Sequence, residues 1–142
     1  MTENRRKRNK AGIIWLFLML IWLTVIFSFS AKKADESTVM SHSVGKLIGN
    51  IVIPEYRSWP EDKQEQFAEK IDFPVRKCAH ASEYAVLGVL MLGTAYSFAE
   101  DQGKKNRLLC WCAGTAYAAT DEFQQLFVPG RSCQFRDVCI DS

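Results

Sequence analysis

A chain of 142 residues has room for one domain, and a net charge of +2 leaves no broad basic surface, which excludes nucleic acid as a general partner. A hydrophobic content of 48% would suit an ordinary soluble protein, but its distribution does not. Charge crowds into residues 1–10 and 32–77 and is nearly absent from 11–31, 84–99 and 108–120.

Residues 1–10 carry Arg5, Arg6, Lys7, Arg8 and Lys10 and read as a basic cytoplasmic tail under the positive-inside rule. Residues 11–30 hold no charge and are long enough to cross a bilayer core of about 30 Å as a helix. A cleaved signal is the competing reading, because Ser28 and Ser30 are small residues at cleavage-like spacing. Signal apolar regions run only about 7–15 residues, so an uncleaved anchor fits better.

The segment 31–74 then lies outside as a helical extracellular loop. Asp35 and Ser37 can cap a helix whose apolar set Val39, Val44, Leu47, Ile48, Ile51 and Val52 recurs near helical spacing and lies at the interface or against the spans. Pro54 ends it, and a second short helix over about 60–71 follows, with Phe67 and Ile71 four apart. The plain reading of this loop is a solvated cap.

A second span covers about 75–99. Its strictly apolar part, 84–99, is too short to cross alone, so the polar string from Arg76 must form its outer turns. Asp101-Gln102-Gly103 marks a turn, and Lys104, Lys105 and Arg107 place that loop in the cytoplasm. The third span covers about 108–128, with Asp121 to Gln125 at its outer end and Pro129-Gly130 as a turn beyond. The expected fold is therefore an all-α membrane protein with three transmembrane helices, multi-pass in the cell membrane with a cytoplasmic N-terminus.

Counting crossings brings two polar strings to one side. Arg76, His80, Glu83 and Tyr84 share a helical face, with Lys77 beside them; Asp121 and Glu122 stand four and three residues before Gln125. An unpaired charge at membrane depth costs about 2.5–3.5 kcal/mol or more, which favours pairing Arg76 and Lys77 with Asp121 and Glu122 around an outward pocket. Snorkelling of Arg76 and Lys77 to the headgroups is the bland alternative, but His80, Glu83 and Asp121 reach less far. His80 beside Glu83 could move a proton. A metal site needs more ligands than His80, Glu83 and one carboxylate supply, and no motif calls for a cofactor.

Beyond the third span, Arg131, Arg136, Asp137 and Asp141 continue the outer cluster. The five cysteines form no zinc pattern and read as small buried hydrophobes, with pairing of Cys133 and Cys139 left open.

The chain resembles the VanZ-like family of small bacterial membrane proteins, named for a teicoplanin-resistance determinant. The resemblance rests on Phe27-Ser28-Phe29-Ser30, on Arg76-Lys77-Cys78-Ala79-His80-Ala81-Ser82-Glu83-Tyr84 with Leu87-Gly88, and on Asp121-Glu122-Phe123-Gln124-Gln125-Leu126-Phe127-Val128-Pro129-Gly130-Arg131 with Asp137 and Asp141. Domain 11–142 would then be a VanZ-like membrane domain lacking the family's last helix. The resemblance implies reduced susceptibility to teicoplanin-type glycopeptides at the cell envelope.

Two functions follow as expectations. In one, the pocket binds a lipid-linked cell-wall precursor or an anionic headgroup, with Arg76, Lys77 and Arg131 holding the anion, Asp121 and Glu122 orienting them, and His80 and Tyr84 at the rim. In the other, an intramembrane enzyme acts on a lipid-linked cell-wall substrate, with Glu83 or Asp121 as general base and His80 as acid. An inert fragment is the dull third case.

Overall fold

The computed structural model describes residues 3–99 and 103–128. Within them the chain forms four α-helices: α1 (Glu3–Ser30), α2 (Ala34–Val52), α3 (Glu61–Phe98) and α4 (Lys104–Gln125), with a 3-10 turn at Tyr56–Ser58. Helix α3 is the spine. Helix α1 packs antiparallel to its second half, setting Trp22 against Glu83, Trp15 against Gly93 and Gly12 against Ser97 and Phe98. Helix α4 runs parallel to α1, joining Tyr117 to Leu23 and Asp121 to Ser30. Helix α2 folds back antiparallel on the first half of α3.

The basic residues ahead of the expected span are helical too, because α1 begins at Glu3 and runs through them without a break. Long straight-chain residues such as Arg and Lys sustain a helix well. Glu3 and Lys7 form an i,i+4 pair at 2.8 Å, exposed and so worth little. Among the described residues one helix segment, Arg5–Ser30, is long and apolar enough to cross a membrane. Much of it faces outward: Ile13, Ile14 and Phe17 are each more than half exposed.

The expected separate helix over 60–71 does not exist as such. It continues through Pro74 into the next segment as one helix of 38 residues. An interior proline removes a backbone hydrogen bond and costs about 3 kcal/mol. Here the stripe Ala68, Ile71, Asp72 and Val75 carries on across Pro74 facing α2, so tertiary contact outweighs that cost. Helix α4 likewise starts a turn earlier than expected, at Lys104, and ends at Gln125.

Helix α2 does not turn its apolar set against the spans, one of the two placements expected for it beside the interface. Its packing face is Ser41, Gly45 and Gly49, all buried, whereas Val39, Met40, Val44, Leu47, Ile51 and Val52 are exposed. Small residues every fourth position let the backbones of α2 and α3 approach closely. The helix starts after Lys33 without a side-chain cap, so neither Asp35 nor Ser37 is its N-cap; Asp35 and Glu36 instead occupy the first turn, where negative charge suits the helix dipole. It ends at Val52, with Ile53 as its extended C-cap immediately before Pro54.

Glu55 turns the chain with a left-handed φ of 62°. The hairpin is closed by Tyr56, only 1% exposed, whose ring meets Trp59 and Phe67 at centroid distances of 5.2 and 5.5 Å. Its hydroxyl donates to the Gln64 carbonyl at 3.1 Å. The bundle's own core is small: Ile26, Tyr84, Leu87 and Ala118, with Trp22, Leu23, Met91 and Tyr117 packed around them.

Candidate functional site

Ser30, the last residue of α1, anchors the second polar string. Its Oγ donates to Asp121 Oδ2 at 2.7 Å, and Gln125 Nε2 approaches it at 3.5 Å. Asp121, Glu122 and Gln125 are all buried, and their position follows from α4 running parallel to α1 until both helices end at one level. Asp121 Oδ1 is buried with no hydrogen-bond partner among the described residues. Tyr84 packs one layer deeper, its ring 6.5 Å from that of Tyr117.

The other string lines a cleft of about 260 Å³ between the end of α1, the start of α2 and the middle of α3. Arg76, His80 and Glu83 face it from α3, Ser37, Met40 and Val44 from α2, and Phe29 and Lys32 from the α1 terminus. Its walls are mostly hydrocarbon, with Lys32, Arg76, His80 and Glu83 among the lining. Trp22 fixes the α3 register by donating from Nε1 to the Glu83 carbonyl at 2.9 Å.

The expected pairing of Arg76 with Asp121 is not formed. Arg76 Nη2 lies 2.5 Å from Asp72 Oδ2, one turn earlier on the same helix, and Asp72 Oδ1 accepts from Ser41 Oγ of α2. An i,i+4 pair is already in place when the helix forms, whereas the cross-helix pair would need α3 to rotate Arg76 away from α2. Lys77 sits with its ammonium 5.8 Å from the Phe73 ring centre. Sequence reasoning missed Ser41, Asp72 and Lys32. The spacing Asp72-x3-Arg76 was a usable signal; Ser41 and Lys32 become partners only through the α2 fold-back.

His80 Nδ1 stands 3.7 Å from Glu83 Oε2, an ion-pair separation but longer than a hydrogen bond, so the two do not exchange a proton directly in this arrangement. Ser82 Oγ donates to the Cys78 carbonyl at 2.7 Å and is exposed, on the side of α3 away from the cleft. Cys78 and Cys112 are exposed rather than buried as expected, because a bundle this thin leaves most helix faces outward. Arg131, Asp137, Asp141, Cys133 and Cys139 lie outside the described residues.

Farther out, Glu65 of α3 is gripped by two residues of α2: His42 Nδ1 at 2.8 Å, and Lys46 Nζ in close contact. The hydrogen bond from Lys46, then that from His42, pulls the Glu65 carboxyl below the usual glutamate range, and the bond to Glu65 pushes the Lys46 ammonium above the usual lysine range.

An N-terminal helix long and apolar enough to cross a membrane, a two-helix hairpin folded on a long spine, and buried acids at the helix ends define a small all-α protein among the described residues. The family model described as VanZ/LLP1 matches residues 15–142, and the chain belongs to that family. No curated protein and no solved structure matches it.

Proposed function

We propose that this chain is a VanZ-like integral membrane protein whose α1, α3 and α4 all cross the bilayer, with the N-terminus in the cytoplasm. Its outward end binds an anionic headgroup or cell-envelope lipid and thereby lowers susceptibility to teicoplanin-type glycopeptides. Two features support the crossings beyond α1: the apolar stretches 84–99 and 108–120, and the exposure of Val86, Val89, Phe98, Leu108, Leu109 and Trp111 along them. Large outward apolar surfaces of that extent mark a membrane or protein partner.

The observation that carries the ligand reading is the cleft itself: an apolar pocket with Arg76 and His80 of one helix in its lining, where an arginine fork can hold a phosphate or carboxylate by two bonds. Asp72 holds that fork in position, and family membership supplies the cell-envelope context. The test is a pair of variants at cleft-lining residues, Arg76→Ala and His80→Ala, produced at wild-type levels. Both should weaken retention of anionic lipid and restore glycopeptide susceptibility. Unchanged susceptibility together with unchanged lipid retention would overturn the reading.

A further inference from the structure

Lys32 stands between α1 and α2, and its surroundings match an ammonium poorly. Nζ lies 3.0 Å from the Met40 sulfur and 4.7 Å from the centre of the Phe29 ring; among the described residues no carboxylate pairs with it. A thioether is a weak acceptor, and a ring face attracts the charge without accepting strong hydrogen bonds. Among the described residues the Lys32 ammonium is therefore left without an anionic partner of its own.

Lys32 also borders two cavities at once. One is the cleft that Arg76 and His80 line; the other is a shallow groove of about 430 Å³ running down α1 past Phe29, Ser28, Val25, Thr24 and Ile21. Phe29 and Lys32 form the wall they share. The groove leads from the cation along the one helix of membrane length, toward its middle. The cleft is smaller than the roughly 300–1,000 Å³ of a pocket for a drug-sized ligand, so it fits a head and not a whole lipid.

We propose that the two cavities together bind one amphiphile with a phosphate-type anionic head and an apolar tail. The head sits between Lys32 and Arg76, with Ser37 within the same cleft, and the tail lies along α1 toward Ile21. Glu83 lines the cleft wall beside His80, its Oε2 3.7 Å from His80 Nδ1 and two turns along α3 from Arg76. This assignment rests on the headgroup-binding reading above and adds the anchoring lysine and the path of the tail. Plain snorkelling of Lys32 to the bilayer surface would give neither saturable binding nor dependence on the groove.

The experiment titrates the full chain, purified in a neutral detergent, with lysophosphatidic acid, lysophosphatidylcholine and inorganic phosphate. Lysophosphatidic acid should bind saturably and at least about tenfold tighter than either control, the size of one or more bonds to a charged group. Lys32→Gln should remove about that factor, while Lys32→Arg keeps binding and the neighbouring Lys33→Gln leaves it unchanged. Thr24→Trp, filling the exposed groove, should weaken the single-chain lipid and leave inorganic phosphate unaffected. Helical content by circular dichroism confirms that each variant is folded.

Equal affinity for phosphate and for the lipid, indifferent to Thr24→Trp, would mean a free-anion site and overturn the proposal. If Arg76→Ala weakens lipid binding and Lys32→Gln does not, the headgroup reading stands and this assignment falls. If neither variant matters, both fall.

Discussion

Asp72 and Asp121 are both buried carboxylates, 9% and 4% exposed, but their surroundings differ. Asp72 has both oxygens engaged, by Ser41 and Arg76; Asp121 has one engaged by Ser30 and one buried without a hydrogen bond among the described residues. Leaving a buried acceptor unsatisfied costs about 1–3 kcal/mol. Asp72→Ala should therefore lower stability by about 1–2 kcal/mol, reduced from the fully buried case because Arg76 is partly in solvent. Asp121→Asn should be neutral or stabilising, since the amide oxygen still accepts from Ser30. Thermal unfolding of both variants in one detergent measures the contrast, and a larger loss for Asp121→Asn would contradict it. A residue that costs stability where it stands is the kind retained for function.

The Glu65 cluster makes a pH prediction at the same scale. A carboxyl with a depressed folded pKa stabilises above its unfolded value, and loses that contribution as pH falls through the folded one. A lysine with a raised folded pKa stabilises below its unfolded value, and loses that contribution as pH rises through the folded one. The pair therefore holds the hairpin between the usual glutamate and lysine ranges. Glu65→Gln should lower the Tm slightly near neutral pH, and the gap to wild type should close in acid. A gap independent of pH would remove the cluster from the account.

At the scale of elements, the closeness of α2 to the hairpin turn depends on Gly49. A Cβ there would enter the Tyr56 ring, a side chain already locked by Gln64, Trp59 and Phe67. Overpacking of this kind typically costs about 1–3 kcal/mol, so Gly49→Ala should destabilise by about that amount, read from thermal unfolding. Gly88, with open space around its would-be Cβ, is the control: Gly88→Ala should be neutral or slightly stabilising through better helix propensity. The helices themselves were readable in the sequence from apolar periodicity and from Pro54. Their faces and joints were not. Val39, Val44 and Leu47 announced an apolar face at the interface or against the spans, but not that Ser41, Gly45 and Gly49 do the packing because small side chains permit close backbones; Pro74 announced a boundary, yet α2 holds the helix through it.

For the whole molecule, the order of the elements was readable because it follows from charge counts, and the two strings do flank one end of α1. The pairing within that end was not, since Ser30 and Lys32 acquire roles only when α2 folds back. The membrane topology has a direct measurement. With the native cysteines replaced, single reporters at Lys33, Lys105 and Ser132 should label from outside, inside and outside respectively. Any other order would contradict three crossings.

Helix α3 is one uninterrupted rod of 38 residues, about 57 Å at a rise of about 1.5 Å per residue, against an average hydrocarbon thickness of about 30 Å. If α3 crosses a bilayer as proposed, it would meet a thinner sheet by leaning over. Because the same rod bears Arg76 while Lys32 hangs from the end of α1, leaning would slide one past the other. On the proposed topology and ligand, the aperture between the two cations would vary with the thickness of the surrounding lipid, and anion affinity would change from one bilayer to another.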